Sequence, residues 1–406
     1  MSSLDVIPNG WVETTLGKVS QNISRKFDFN SKKEVVFINT GDVLNGKFLH
    51  KDYTSKIGLP GQAKKGIIRG DILFSEIRPK NKRFAIVDFD AKDFVVSTKF
   101  MVISRNPDLI NNEFLYIYLS SEKTINEFNL IAESRSGTFP QITFDAISYL
   151  PVLLPPIPEQ KSIARIIKAF DDKIENLQAQ NKTLEQTAQT IFKEWFFTKN
   201  KSSKEVNLGD LIEIRGGYSY KGSELGMGES YLLGMGCVSN NYRFLHKGAR
   251  LYSNNAPDSF LVQPGEIVLA TRQQSENLPI LGYPAIIPQD YEGKKVIVGT
   301  NLYMVKNISS LNNETLFLLL KSKKYRNHIL NNSKGTTVKM ITKDSVESFK
   351  FNLPEKEVIR HFTAMINPIT DKIKNNAQQI QTLKQTRDTL LPKLMSGQIR
   401  VNDFKE

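Results

Sequence analysis

Two stretches of the chain carry apolar residues at alternating spacings of three and four. The first reads Ile163, Ile167, Phe170, Ile174, Leu177, Asn181, Leu184, Ala188, Ile191 and Trp195. The second reads Phe362, Ile366, Ile369, Ile373, Asn376, Ile380, Leu383, Arg387, Leu390 and Leu394. Such spacing predicts long helices that each bury one narrow seam. Pro158 and Pro354 stand at their starts, where proline suits a helix because a first-turn N–H has no internal partner. Shorter apolar runs bounded by Gly, Pro or Asp predict buried strands: GDILFSEI at 70–77, FAIVDF at 84–89 and KFMVIS at 99–104. Residues 111–121 and 312–322 predict helices that open on Asn and Glu.

The pattern repeats. LGKV at 16–19 matches LGDL at 208–211, NGKFLHK at 45–51 matches NYRFLHK at 241–247, and GDILFSEIR at 70–78 matches GEIVLATR at 265–272. VSTKFMVI at 96–103 matches VGTNLYMV at 298–305, NNEFLYIYLSS matches NNETLFLLLKS, and SGTFPQIT at 136–143 matches KGTTVKMIT at 334–342. From Thr143 onward the offset holds at 199 residues, so that Asp172-Lys173-Ile174 falls on Asp371-Lys372-Ile373. An element without insertions is what a long helix requires, and each copy therefore ends in one. The expected organisation is a globular copy at 1–156, a long helix at 157–200, a second copy at 201–353 and a second long helix at 354–406, with KNKSSK at 199–204 as linker. The expected class is α/β (α+β): two tandem mixed-sheet copies joined by two long helices in an antiparallel coiled coil.

Direction follows from the two polar seam positions. Antiparallel pairing centred near residue 179 sets Asn181 against Asn376 and Leu177 against Ile380, so the amides meet. Parallel pairing sets each amide against an aliphatic side chain. A buried amide pair fixes register. The same pairing brings Phe170 to Arg387, whose stem can snorkel, and Pro392 should kink or fray the second helix near its end.

Charge and chemistry narrow the function. The net charge of +13 points to a polyanionic partner. The single cysteine, Cys237, excludes an intrachain disulfide framework and a cysteine-based zinc cluster. No basic-then-apolar leader opens the sequence and no apolar run approaches 18 residues, so the cytoplasm is the expected compartment. GGYSYKGS at 216–223 lacks the Gly-Lys-Ser/Thr ending of a phosphate loop, and neither a methyl-donor loop nor an Asn/Asp-Pro-Pro-aromatic string is present. His50, His246, His328 and His361 form no metal-spaced pair, and His50 and His246 are repeat equivalents. Glu292-Gly293-Lys294 has the spacing of a magnesium nuclease, but it lies in a turn without a counterpart in the first copy. The alternatives are thus a stand-alone magnesium-dependent nuclease resting on Glu292 and Lys294, or a coiled-coil adaptor that binds only proteins.

What remains is binding by matched loops. Arg78, Lys80, Lys82 and Arg83 follow one strand; Arg272, Gln273, Gln274 and Asn277 follow its counterpart. Arg and Lys suit guanine edges and phosphates, whereas Gln and Asn suit adenine edges. Arg135 and Thr138, and in the second copy Lys334 and Thr336, sit in Ser/Thr/Gly loops suited to phosphate. Arg25, Lys26, Arg215, Tyr218, Tyr220 and Lys221 complete the candidate DNA-contacting set, with no catalytic or metal-binding residue among it.

IPNGWVETTLGKV at 7–19, GDILFSEIRP at 70–79, SGTFPQIT followed by LPVLLPPIPEQ at 150–160, and LLPKLMSGQIRV at 390–401 together resemble the specificity subunits of type I restriction-modification systems. The second copy departs from this pattern at FNLPEKEVIRHF, which lacks the Pro-Pro and Glu-Gln of the first. The resemblance implies that each copy is a target-recognition domain reading one half of a bipartite double-stranded DNA site, with the helices as spacer. It also implies docking of two adenine methyltransferase (modification) subunits, which motor-nuclease (restriction) subunits join. S-adenosylmethionine, ATP and Mg2+ would belong to those partners. A helix over 158–196 would span about 57 Å at about 1.5 Å per residue, against roughly 34–36 Å per DNA turn. Because the loops differ between copies, the implied target is asymmetric.

Overall fold

The computed structural model describes residues 7–134, 140–198, 203–273, 280–335 and 338–401. The chain divides into two compact units, Met1–Asp172 with Lys384–Glu406, and Lys173–Leu383. Each long helix is therefore shared out between the units.

Each unit is built on an antiparallel four-stranded sheet of the same order. In the first it runs Phe84–Ile86, Ile72–Ser75, Phe100–Arg105, Ser20–Asn22. In the second it runs Pro284–Ile286, Ile267–Ala270, Leu302–Asn307, Ile212–Gly216. The strands Ile72–Ser75 and Ile267–Ala270 are buried along their whole length. That is why their sequences read as continuous apolar runs rather than alternating ones: both faces are covered. Alternate side chains enter two different cores. Ile72 and Phe74 face helices, whereas Leu73 faces a second sheet. Ile267 and Leu269 face helices in the other unit, and Val268 and Ala270 face its second sheet.

The second sheets differ. The first unit has five strands, in the order Arg25–Lys26, Ala63–Gly66, Phe94–Ser97, Glu34–Ile38, Thr54–Ser55. The second has three, Ala249–Tyr252, Leu225–Leu233 and Val296–Val298. Both keep one parallel pair, Phe94 against Val36 in one and Tyr231 against Val296 in the other. The helical layers match closely. Asn111 caps Asn112–Ser120 by accepting from the Phe114 N–H at 3.0 Å, and Asn312 caps Asn313–Lys321 through the Thr315 N–H at 2.8 Å.

The long helices are Ile157–Lys193 and Lys356–Met395, the first continuing as a π-helical turn, Glu194–Thr198. Within the second unit their segments run antiparallel. Phe192 meets Phe362 with ring centroids 5.8 Å apart, and Ile174 and Leu177 pack with Ile380 and Leu383. Asn376 Nδ2 donates to Asn181 Oδ1 at 2.9 Å, while Asn181 donates its own amide to the Ile373 carbonyl at 3.1 Å. In the first unit Asp171 meets Arg387 at 2.5 Å, and Ile163, Ala164 and Ile167 share a core with Leu390 and Leu394. Phe362, Ile366 and Ile373 are buried, while Phe170, Leu184, Ile191 and Ile369 are half-buried.

Four details differ from the sequence reading. Pro354 ends the strand Lys350–Pro354 rather than opening the helix, which begins at Lys356. The Arg387 guanidinium, expected beside Phe170, pairs with the carboxylate of Asp171, one residue further along. Pro392 lies in the final turn, and the helix continues to Met395, since proline there removes only one bond close to a terminus. Lastly, Ile77 lies opposite Gln141 while Arg272 lies opposite Met340. Arg272 thus occupies the place of Ile77, and Arg78 corresponds to Gln273; the two strings align without the gap that matching the arginines demands.

Candidate nucleic-acid interface

One end of each four-stranded sheet collects the matched loops. In the first unit the chain leaving Ile72–Ser75 is tied to the segment after residue 139: Arg78 N–H donates to the Pro140 carbonyl at 3.0 Å and Ile142 N–H to the Glu76 carbonyl at 2.8 Å. Arg78 is exposed and holds a left-handed backbone (φ 48°) at the entry to the turn Pro79–Asn81, with exposed Lys80 beside it. Lys82, also left-handed, pairs with Glu122. Arg83 donates to the carbonyls of Gly41 and Val43 at 2.8 and 3.0 Å. These two cations hold neighbouring elements together, and Arg78 and Lys80 are exposed on the same loop. Glu76 lies behind them, half-buried; burial raises its carboxyl above the ordinary range against the pull of Lys65 and Lys99.

In the second unit the same connection forms a small ladder. Arg272–Gln273 pairs with Lys339–Met340, and Lys334 bridges to Met340. Arg272, Lys334 and Lys339 are all exposed; Arg272 and Lys334 flank Met340 on one face of the ladder, and Lys339, opposite Gln273, stands on the other. Lys339 was not in the candidate set, although KGTTVKM contains it; its partner strand supplies the missing signal. The loop after Ile212–Gly216 arrives at the same sheet end, because Gly216 pairs with Tyr303 and Ala270 with Leu302. There the Arg215 guanidinium lies 4.5 Å over the Phe260 ring, Tyr218 meets Phe260 edge-on at 5.4 Å, and Tyr220 meets Tyr252 at 6.3 Å. Lys221 is exposed.

Arg25 is not part of the corresponding group. It forms a two-pronged pair with buried Asp71 at 2.5 and 3.1 Å, at the opposite end of Ile72–Ser75 from Arg78. Lys26, next to it, is exposed. Arg135, Thr138, Gln274, Asn277 and Thr336, and the side chain of Gln273, lie outside the described residues.

The other motifs have structural settings. Gly293 at φ 71° makes the turn between Glu292 and Lys294, and the Lys294 ammonium sits over the rings of Tyr231 and Tyr291 at 5.4 and 5.5 Å. His246 stacks on Tyr291 and lies 3.5 Å from Asp290; His50 lies 3.4 Å from Asp42. Cys237 is buried, which pushes its thiol up to about 12. Among the described residues no His/Cys/Asp/Glu group could hold a metal ion, and no helix is long and apolar enough to cross a membrane.

The family model for the type I restriction modification DNA specificity domain matches twice, over residues 8–186 and 200–385. The chain is 33% identical to the type I restriction enzyme HindI specificity subunit of Haemophilus influenzae, over 96% of this chain and 99% of that protein. It is 27% identical to the MjaIX specificity subunit of Methanocaldococcus jannaschii, over 73% of this chain and 71% of the relative. A solved type I restriction-modification S subunit from M. genitalium shares the fold, with a TM-score of 0.55 at 14% identity, covering 97% of this chain and 98% of that one. The chain belongs to the type I restriction modification DNA specificity domain family and carries two copies of its domain.

Proposed function

We propose that this chain is the DNA-reading, non-catalytic subunit of a type I restriction-modification complex. Each copy of the family domain reads one half of an asymmetric, interrupted double-stranded site. The observation that carries this reading is the twofold match of the specificity-domain model. It is supported by the recurrence of one sheet order with differently charged loops at the same sheet end.

The bases are addressed by the exposed members of those loops. In the first copy these are Arg78 and Lys80, to which Arg135 and Thr138, outside the described residues, are added from the sequence. In the second copy they are Arg272 and Lys334, with Tyr218, Tyr220 and Lys221 at the same sheet end. Arg and Lys suit guanine edges and phosphates, and Tyr hydroxyls suit phosphate and sugar oxygens. The helix pair sets the half-site separation and carries two adenine methyltransferase subunits, to which restriction subunits bind. S-adenosylmethionine, ATP and Mg2+ serve those partners, and the complex works in the cytoplasm.

Co-expression with its methyltransferase partner and mapping of methylated adenines should yield two unlike half-sites with a fixed gap; a continuous or palindromic site would overturn the reading. Replacing Arg272 with Ala should relax one half-site only and lower affinity by about 1–3 kcal/mol. Removing four residues from each long helix should shorten the gap and leave both half-sites unchanged.

A further inference from the structure

In the second unit five charged side chains meet where the recognition copy rests on the long helices. Arg243, from the NYRFLHK segment, pairs with Glu314 at the start of Asn313–Lys321 and lies 3.3 Å from Glu185 of the first long helix. Lys321 lies 3.7 Å from Glu185, and Lys374 of the second long helix reaches Glu314 at 2.8 Å. Arg243 and Lys321 both face the ring of Phe317, at 4.6 and 5.4 Å. Four of the five are almost enclosed: side-chain exposure is 13% for Arg243, 12% for Glu185, 9% for Glu314 and 10% for Lys321. Burial by itself would raise the Glu314 carboxyl, but Arg243 and Lys374 outweigh it and hold it below its ordinary range. Burial depresses the Lys321 ammonium against the pull of Glu185.

The repeat allows each position to be traced to the other copy. Arg243 corresponds to Lys47 and Glu314 to Glu113, so the recognition copies agree in charge there. The helices do not agree. At the offset of 199, Glu185 corresponds to Lys384 and Lys374 to Glu175, so both helix charges are inverted. Lys321 corresponds to Ser120, so only the second copy brings a second cation. Lys384 is half-buried in the first unit, with Arg387 one turn away on the same helix.

We propose that these charges assign the second recognition copy to its own place on the helices: it fits only where the helix presents an acid at the Glu185 position. At a Lys384-type position its Arg243 and Lys321 would meet a third cation in a nearly dry site, a like-charge arrangement that rejects the wrong partner. The first copy, with Ser120 in place of the second cation, carries less of this discrimination. The two copies are thus unequal as exchangeable modules, and the order of the halves is written into a buried charge pattern as well as into the covalent connection.

The test is a chain in which residues 203–353 also replace residues 11–154, prepared with Lys384 intact and with Lys384→Glu. Thermal unfolding and limited proteolysis of the grafted copy report the fit. The Lys384→Glu form should melt about 10 °C higher and resist cleavage longer; equal melting of the two forms would overturn the proposal. Should neither graft fold, the natural chain decides. Glu185→Lys should lower the melting temperature by about 3 °C more than Glu185→Ala, because repulsion adds to the lost pair. Equal losses for Lys and Ala would overturn the proposal by showing that the position does not discriminate. DNA binding enters neither measurement, so the outcome is independent of the proposed function.

Discussion

The two units reach the same sheet order but fasten it to the helices by different charged contacts. In the first, the charged contact is a clamp half open on one side, with Arg400 30% and Glu159 13% exposed. Arg400 makes a two-pronged pair with Glu159 at 2.7 and 2.8 Å, and Trp11 donates its indole N–H to the same carboxylate at 3.1 Å. Gly397, at φ 70°, lets the chain after the second helix close on Pro8 and Trp11, where a Cβ would fall 2.4 Å from Pro8 Cγ. In the second, the fastening is the enclosed network around Glu314 and Arg243. The matched residues Glu113 and Glu314 show the contrast at one position: the same letter is exposed in one copy and 7% exposed in the other. A clamp at the rim contributes through a few hydrogen bonds and is weakened by water. A buried network contributes little net stability when complete and costs several kcal/mol when one member is lost.

The largest test of that contrast is Glu314→Ala against Glu113→Ala. The first should destabilise by about 3–5 kcal/mol, since it strands Arg243 without its closest acid. The second should stay within about 0.5 kcal/mol, as surface substitutions do; urea unfolding of both variants provides the measurement. Acid provides a graded version. The Glu314 carboxyl is held below its unfolded value, so its contribution is complete above the ordinary carboxylate range and is lost as pH falls through the lowered folded value. Melting temperature should therefore hold from pH 7 to about 5 and fall below about 4.5, and Glu314→Gln should flatten part of that fall.

The amide pair should give a smaller effect. Asn376→Leu alone leaves Asn181 without its donor partner and should cost about 1–3 kcal/mol. The double change to leucine at 181 and 376 should recover that loss while relaxing helix register, seen as broadened amide resonances or altered crosslinking. Smaller still is the rim clamp. Arg400→Ala should cost about 1–2 kcal/mol, and because Trp11 stacks near that guanidinium its fluorescence should shift in parallel. The exposed Lys168–Asp172 pair on the helix surface sets the floor: Lys168→Ala should change stability by less than about 0.5 kcal/mol.

Periodicity and self-similarity were enough to reveal the repeat, the two long helices and the antiparallel sense of their pairing; the family entered through the resemblance of four strings. The reason is local: a seam every three or four residues, and an Asn before a helix, act through neighbours a turn or less away. The candidate interface was legible only as loops. Sequence matching put Arg78 on Arg272, whereas strand pairing puts Arg272 on Ile77, because register depends on hydrogen bonds to a segment more than 60 residues distant. The same limit hid the roles of Arg25, Lys82 and Arg83. Each reads as a free surface cation until a carboxylate or carbonyl about 40 residues away is brought beside it. It hid Lys339 as well, which a two-stranded ladder sets opposite Gln273, next to Arg272. The charge network is the clearest division. All five residues and their inverted helix counterparts stand plainly in the sequence. Only tertiary packing removes Arg243, Glu185, Glu314 and Lys321 from water, and the energy of a charge pair depends on its surroundings far more than on the residues that form it.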